Sequence, residues 1–155
     1  MKSCFFIGHR DTPADILPVL QETIRHHITE LGVTEFIVGN YGSFDRMAAR
    51  AVIDAKAEHL QITLSLLIPY HPAERPVKTP SGFDNTFYPP GMEKVPRRFA
   101  IVRANRYMVD HVDYLITYTW HPASNAQNLI EYARKREQQG LISIFNLSLC
   151  CFQIV

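Results

Sequence analysis

The 155-residue chain lacks most of the features that would assign it to a special class. It has only three cysteines, Cys4, Cys150 and Cys151. They are too few and too badly spaced for a disulfide framework or a zinc site, and each stands in an apolar run, as buried free thiols do. No stretch approaches the ~20 apolar residues of a membrane span. Met1-Lys2-Ser3 leads straight into Cys4-Phe5-Phe6-Ile7, too short for the apolar region of a signal peptide. A cytoplasmic protein with no membrane partner is expected. Excess charge is missing too: 16 Lys and Arg against 15 Asp and Glu give a net charge of +1. That balance disfavours nucleic acid, or any long polyanion, as the partner. Internal repeats and low-complexity tracts are absent.

What is present is an ordinary soluble composition, 46% apolar and 20% charged. At this length a folded chain buries roughly 68–70% of its unfolded surface, enough for a core without staples. A single domain over residues 1–155 is expected. Along it, short apolar runs alternate with segments of helical period. Cys4–Ile7 reads as a strand closed by Gly8. From Asp15 to Leu31, the residues Leu17, Leu20, Ile24, Ile28 and Leu31 mark one helix face, with Pro18 early enough to be tolerated. Glu35–Val38 is a second strand. Ser43 is placed to cap a helix whose face is Phe44, Met47, Ala48, Ala51, Val52 and Ala55.

Leu60–Ile68 is a third strand, alternating through Gln61, Thr63 and Ser65 and then continuously apolar. A helix from about Arg97 to His111 turns Ile101, Ala104 and Met108 inward. Val112–Tyr118 is a fourth strand, and Ser124 caps a helix running to Gly140. Leu141–Phe145 is a fifth strand, and the apolar tail to Val155 adds an edge strand or packs over the sheet. This order predicts an α/β fold, a Rossmann-like doubly wound, mainly parallel sheet with helices on both faces. One stretch interrupts it. Residues 69–96 hold seven of the ten prolines (Pro69, Pro72, Pro76, Pro80, Pro89, Pro90 and Pro96) and read as a binding loop or lid within the domain.

Ligands of open α/β sheets bind at the carboxyl ends of the strands. Those positions carry Gly8-His9-Arg10, Gly39-Asn40-Tyr41-Gly42-Ser43-Phe44-Asp45-Arg46, Pro69-Tyr70-His71-Pro72 and Trp120-His121-Pro122-Ala123-Ser124-Asn125. The glycine turn lets a ligand approach backbone and helix N–H groups closely. Asp45 either complements the helix dipole or accepts ribose hydroxyls, while Arg46 and Arg10 suit a phosphate. His9 fits either a general acid–base or a turn-fixing hydrogen bond. The aromatic-His-Pro-Ala motif occurs twice, at Tyr70 and at Trp120, placing rings where a base or ribose would lie. Ser124 through Gln127 has capping-box spacing, which explains both residues structurally and leaves an anion-ready helix end. No carboxylate spacing supports a metal at His9, His71 and His121, and no cofactor is called for. A basic group, Lys94, Arg97, Arg98, Arg103 and Arg106, reads as a solvated face, with Arg106 and Asp110 an i,i+4 pair.

Cys4-Phe5-Phe6-Ile7-Gly8-His9-Arg10, the turn Gly39–Asp45, and Asp113-Tyr114-Leu115-Ile116 with Trp120–Asn125 together resemble the YpsA-like branch of the SLOG superfamily. That superfamily includes the DprA/Smf DNA-processing proteins and the LOG-type phosphoribohydrolases. The resemblance runs in order from Cys4 to about Phe145. It implies a Rossmann-like fold binding a nucleotide or nucleotide-derived ligand around Gly8–Arg10, Gly39–Asp45 and Ser124–Asn125. LOG-type enzymes carry Pro-Gly-Gly-x-Gly-Thr and a glutamate where this chain has Trp-His-Pro-Ala-Ser-Asn. The leading expectation is therefore a nucleotide-ligand sensor or binding protein. The alternatives are an enzyme cleaving or transferring at an N-glycosidic bond, with Asp45, Glu131 or His9 as catalytic candidates, and a protein or single-stranded nucleic-acid adaptor using the Lys94–Arg106 face. A homodimer is the common state of such folds.

Overall fold

The computed structural model describes residues 1–119 and 125–150, without the side chains of 125, 126, 149 and 150. Its first strand, β1 (Lys2–Gly8), is the hub. Cys4, Phe5, Phe6 and Ile7 are all buried, as the unbroken apolar run requires of a strand covered on both faces. β1 pairs in parallel with β2 (Val33–Val38) on one side and β5 (Tyr114–Tyr118) on the other. β3 (Thr63–Leu67) and β4 (Asn85–Phe87) extend the sheet beyond β2, and β6 (Ser143–Asn146) lies outside β5. The order is β4-β3-β2-β1-β5-β6, and every strand pair is parallel. The expected α/β doubly wound fold is what the chain adopts.

Helices α1 (Leu17–Thr29) and α2 (Ser43–Lys56) cover one face. Leu20, Ile24 and Ile28 of α1 and Phe44, Ala48, Ala51 and Val52 of α2 are buried there, at the predicted spacing. Pro18 stands in the first turn of α1, where its missing N–H has no intrahelical role. Phe6 packs against Phe36 and Phe44, with ring centroids 6.0 and 6.5 Å apart. Burying one such side chain contributes roughly 1.5–3 kcal/mol. α3 (Ala100–His111) and α4 (Asn125–Gln138) cover the other face, closing on Phe5, Ile7 and Leu115 through Ala104, Met108, Ile130 and Ala133.

Some element boundaries and faces depart from the sequence reading. β3 begins at Thr63, and Leu60 lies in the preceding turn, 90% exposed. In α3 the inward residues are Ala100, Ala104, Met108 and Val109, with Ile101 only partly covered. Of the two alternatives for the apolar tail, the described part packs over the sheet: Leu147–Cys150 forms a short helix, α5, that buries Leu147 in the α1 layer. The edge strand on the β3 side is β4, a three-residue segment inside the Pro-rich stretch that the sequence reading did not name. It is anchored by Asp84, whose Oδ2 accepts the Leu64 N–H at 2.9 Å and the Lys56 Nζ at 2.7 Å.

The chain lays down β1 to β4 in one direction, then returns through α3 to set β5 on the opposite flank of β1. The winding reverses between β1 and β5. At that point the connections leave to opposite faces, the arrangement beside which open α/β sheets place their ligands, at the strand carboxyl ends.

Candidate functional site

The turn after β1 and the turn after β2 are locked to each other. The Ser43 N–H donates to the Arg10 carbonyl at 2.9 Å. The Thr12 N–H donates to Ser43 Oγ at 2.7 Å, and that hydroxyl donates on to the Thr12 carbonyl at 3.2 Å. Thr12 Oγ1 in turn donates to the His9 carbonyl at 2.8 Å. Ser43 is therefore not the cap of its own helix. The residue at that position is Gly42, and no side chain caps the helix start. The serine hydroxyl is drawn away because the β1 turn presents a donor and an acceptor directly opposite it.

Two glycines make the close approach possible. A Cβ on Gly42 would fall 2.6 Å from the Arg10 Cα, and one on Gly8 would fall 2.3 Å from the Phe44 ring. Both distances are shorter than any real contact, so backbone passes where a side chain cannot. Gly39 is buried at the exit of β2, and Asn40 is exposed. Asp45 accepts the Tyr41 N–H at 3.0 Å, so its carboxylate satisfies a free donor of the turn. Burial pushes the Asp45 carboxyl up to about 6, against the lowering effects of the Tyr41 N–H and the Arg46 charge. Burial, and then Tyr70, raise the Tyr41 hydroxyl, while Arg75 lowers it. Arg10 and Arg46 are exposed at the rim, and among the described residues neither forms an ion pair.

The strongest signal stands where the sequence reading named no residue. Leu115, Thr117 and Thr119 alternate onto the face covered by α3 and α4. Thr117 is fully buried and Thr119 is 7% exposed, yet neither Oγ1 has a hydrogen-bond partner among the described residues. Four buried side-chain polar atoms lack a partner among the described residues, and these two share one strand end. Thr117 pairs with Ile7, and Tyr118 with Gly8. Thr119 and the buried His9 each follow that last pair by one residue. The sequence signal was there: threonines at alternate positions of Leu115-Ile116-Thr117-Tyr118-Thr119, on an inward face that should be apolar throughout.

Tyr70 and His71 line a cavity of about 250 Å³ after β3, and Tyr70 lies close enough to the glycine turn to act on Tyr41. The guanidinium groups of Arg75 and Arg97 lie 4.7 and 5.3 Å from the Tyr70 ring centre, and Arg97 pairs with Glu74 at 3.5 Å. His71 Nδ1 accepts the Ala73 N–H at 3.0 Å, and its ring meets Tyr88 edge-on at 5.4 Å. Trp120, His121 and Ser124 lie outside the described residues, as does the Asn125 side chain at the start of α4. Glu131 is exposed on α4. Asp110 does not pair with Arg106: it accepts the Tyr132 hydroxyl at 2.5 Å and meets Arg136 at 3.5 Å, while Arg106 stacks over the Tyr132 ring.

Fold and edge together define a Rossmann-like α/β protein with a topological switch between β1 and β5. No protein-family model matches the chain, and comparison with curated proteins finds no relative.

Proposed function

We propose that the protein binds a nucleotide or nucleotide-derived small molecule at the β1/β5 switch point, as a sensor or regulatory protein of the YpsA-like kind. The observation that carries this reading is the pair of buried, partnerless hydroxyls on Thr117 and Thr119. A buried hydroxyl without a partner is costly, and a ligand hydroxyl or phosphate oxygen at this strand end would satisfy both. Arg10, exposed and without an ion-pair partner among the described residues, supplies a planar donor fork at the same strand end. Gly8 and Gly42 let the two turns that border this strand end pack against Phe44 and Arg10. The all-parallel sheet and the Gly39–Asp45 turn support the family reading.

Thermal-shift and native mass spectrometry measurements with nucleoside mono- and diphosphates and ADP-ribose test this directly. Binding should stabilise the protein by about 2.7 kcal/mol at a hundredfold excess over Kd. Arg10→Ala should weaken phosphorylated ligands at least tenfold and leave unphosphorylated nucleosides unchanged. Absence of a shift with every one of these ligands rejects the reading.

One observation favours the glycosidic-bond alternative. Asp45, held near pH 6 at the glycine turn, is a carboxyl able to give or take a proton close to neutrality. Release of free base from nucleoside monophosphates, lost in Asp45→Asn, would establish that activity; no release would exclude it.

A further inference from the structure

On the α3 side of the sheet, away from the strand carboxyl ends, a groove of about 320 Å³ runs between β1–β4 and the last turn of α3. Its position follows from the winding. α3 and α4 close over β1 and β5, leaving the amino-terminal half of β2, β3 and β4 without a helix above it. The sequence answers with a row of polar residues on that face. In register, Ser3 pairs with Glu35 and Glu35 with Thr63; one step on, Ser65 pairs with Asn85. Neighbours in such a row stand ~4.8 Å apart, and successive rows ~6.6 Å apart.

We infer that this groove is a binding site for an uncharged polyhydroxylated ring, a monosaccharide or the ribose of an unphosphorylated nucleoside. Four observations carry it. First, Glu35, Thr63, Ser65 and Asn85 form a flat array of carboxylate, hydroxyl and amide groups, and none of their side chains hydrogen-bonds to another described residue. Vicinal ring hydroxyls present the complementary array, each donating and accepting at a spacing two neighbouring side chains can span. Second, the wall is aromatic and rigid. Phe87 packs against Tyr107 at 5.9 Å, and His111 stacks on Tyr107 at 3.9 Å and 17°. Such a wall matches the apolar face of a sugar or a base. Third, the His111 Nδ1–H donates to the Tyr107 carbonyl at 2.7 Å, which orients the ring and leaves Nε2 outside that bond. Fourth, no lysine or arginine lines the groove, and Glu35 puts a negative charge on its floor. A phosphorylated ligand is repelled there, which sets this site apart from the edge site. The volume falls at the lower end of the roughly 300–1,000 Å³ common for small-molecule sites, enough for one ring or a nucleoside.

Titration of the ¹⁵N-labelled full-length protein with methyl β-D-glucopyranoside, ribose and adenosine tests the inference and separates its two sources. At least one probe should shift the amides of Glu35, Thr63, Ser65, Asn85 and the last turn of α3 at millimolar concentration. A response to adenosine and ribose alone identifies a nucleoside site; a response to the glucoside identifies a saccharide site. The responding probe phosphorylated at its primary hydroxyl (C6 of the glucoside, C5 of ribose, C5′ of adenosine) should bind at least fivefold more weakly. Glu35→Gln, which keeps shape, and Ser65→Ala, which removes one hydroxyl, should each weaken binding roughly five- to thirtyfold with unchanged melting behaviour. No shift with any probe overturns the inference. So do shifts confined to the Gly39–Tyr41 edge, or binding indifferent to both variants.

Discussion

Gly42 and Arg10 touch backbone to backbone: a Cβ on the glycine would fall 2.6 Å from the arginine Cα. The contact sits beside the Ser43 N–H bond to the Arg10 carbonyl, so it fixes the two turns that border the switch point as one unit. Gly42→Ala must push them apart. The expected cost is about 1–3 kcal/mol, as for other forced overpacking, measured by denaturant unfolding. Asn40→Ala, two residues away and exposed, should stay within about 0.5 kcal/mol. An equal response of the two variants would show that the close approach carries no weight.

Ser43 joins the same clamp from the side chain. Ser43→Ala leaves the partly buried Thr12 N–H without its acceptor and should cost about 1–3 kcal/mol. A helix cap would be rescued by aspartate. Here Ser43→Asp should not restore stability, because the hydroxyl must also donate to the Thr12 carbonyl.

Asp45 makes stability pH-dependent. Its folded value is about 6, above the ordinary 3.8, so the folded state holds its proton more tightly than the unfolded chain. The associated stability is present in full below pH 3.8 and is lost as pH rises through about 6. The loss amounts to at most about 3 kcal/mol. Asp45→Asn keeps an acceptor for the Tyr41 N–H and cannot titrate. The difference in unfolding free energy between wild type and this variant, followed from pH 4 to 7, should fall with rising pH. A flat difference would contradict the burial that raises the carboxyl.

His27 slopes the opposite way. It is buried on α1, edge-on to Tyr114 and Phe145 at 5.5 and 5.8 Å, and burial holds its ring below the ordinary 6.5. The unfolded chain therefore takes up the proton first. Stability contributed by the neutral ring is complete above pH 6.5 and declines as pH falls below it. His27→Leu should remove that decline while leaving the Asp45 slope intact, so the two variants separate the contributions within one acid titration.

What the sequence disclosed follows from how each residue is held. β1 was legible because four consecutive apolar residues have one solution, a strand buried on both faces. Thr63 and Ser65 were legible as alternation, and the structure supplies the cause, a half-sheet with a helix layer on one side only. β4 was not legible: three residues are too short for any period, and they are set in place by Asp84 and Lys56 from outside the segment. Ser43 looked like a cap because capping is a local habit, and a partner 31 residues away overrode it. Gly8–Arg10 and Gly39–Asp45 were singled out because strand ends are where such folds place ligands, and the structure joins the two turns through Ser43 and Arg10. Thr117 and Thr119 were passed over because a strand threonine is ordinary until its missing partner is seen.

Those threonines give the sharpest test of the edge site, because stability and binding should move in opposite directions. Thr117→Val replaces the hydroxyl by a methyl of similar shape at a fully buried position. If the hydroxyl has no partner in the free protein, removing it relieves an unmet desolvation cost, and the free protein should become more stable by about 1 kcal/mol. The same change deletes a group the ligand needs, so affinity for the bound nucleotide should fall roughly tenfold, equivalent to about 1.4 kcal/mol. A residue serving only the core would lose or keep both properties together. A threonine kept for a ligand gains stability and loses affinity on becoming valine, a combination read from two melting curves, with and without nucleotide.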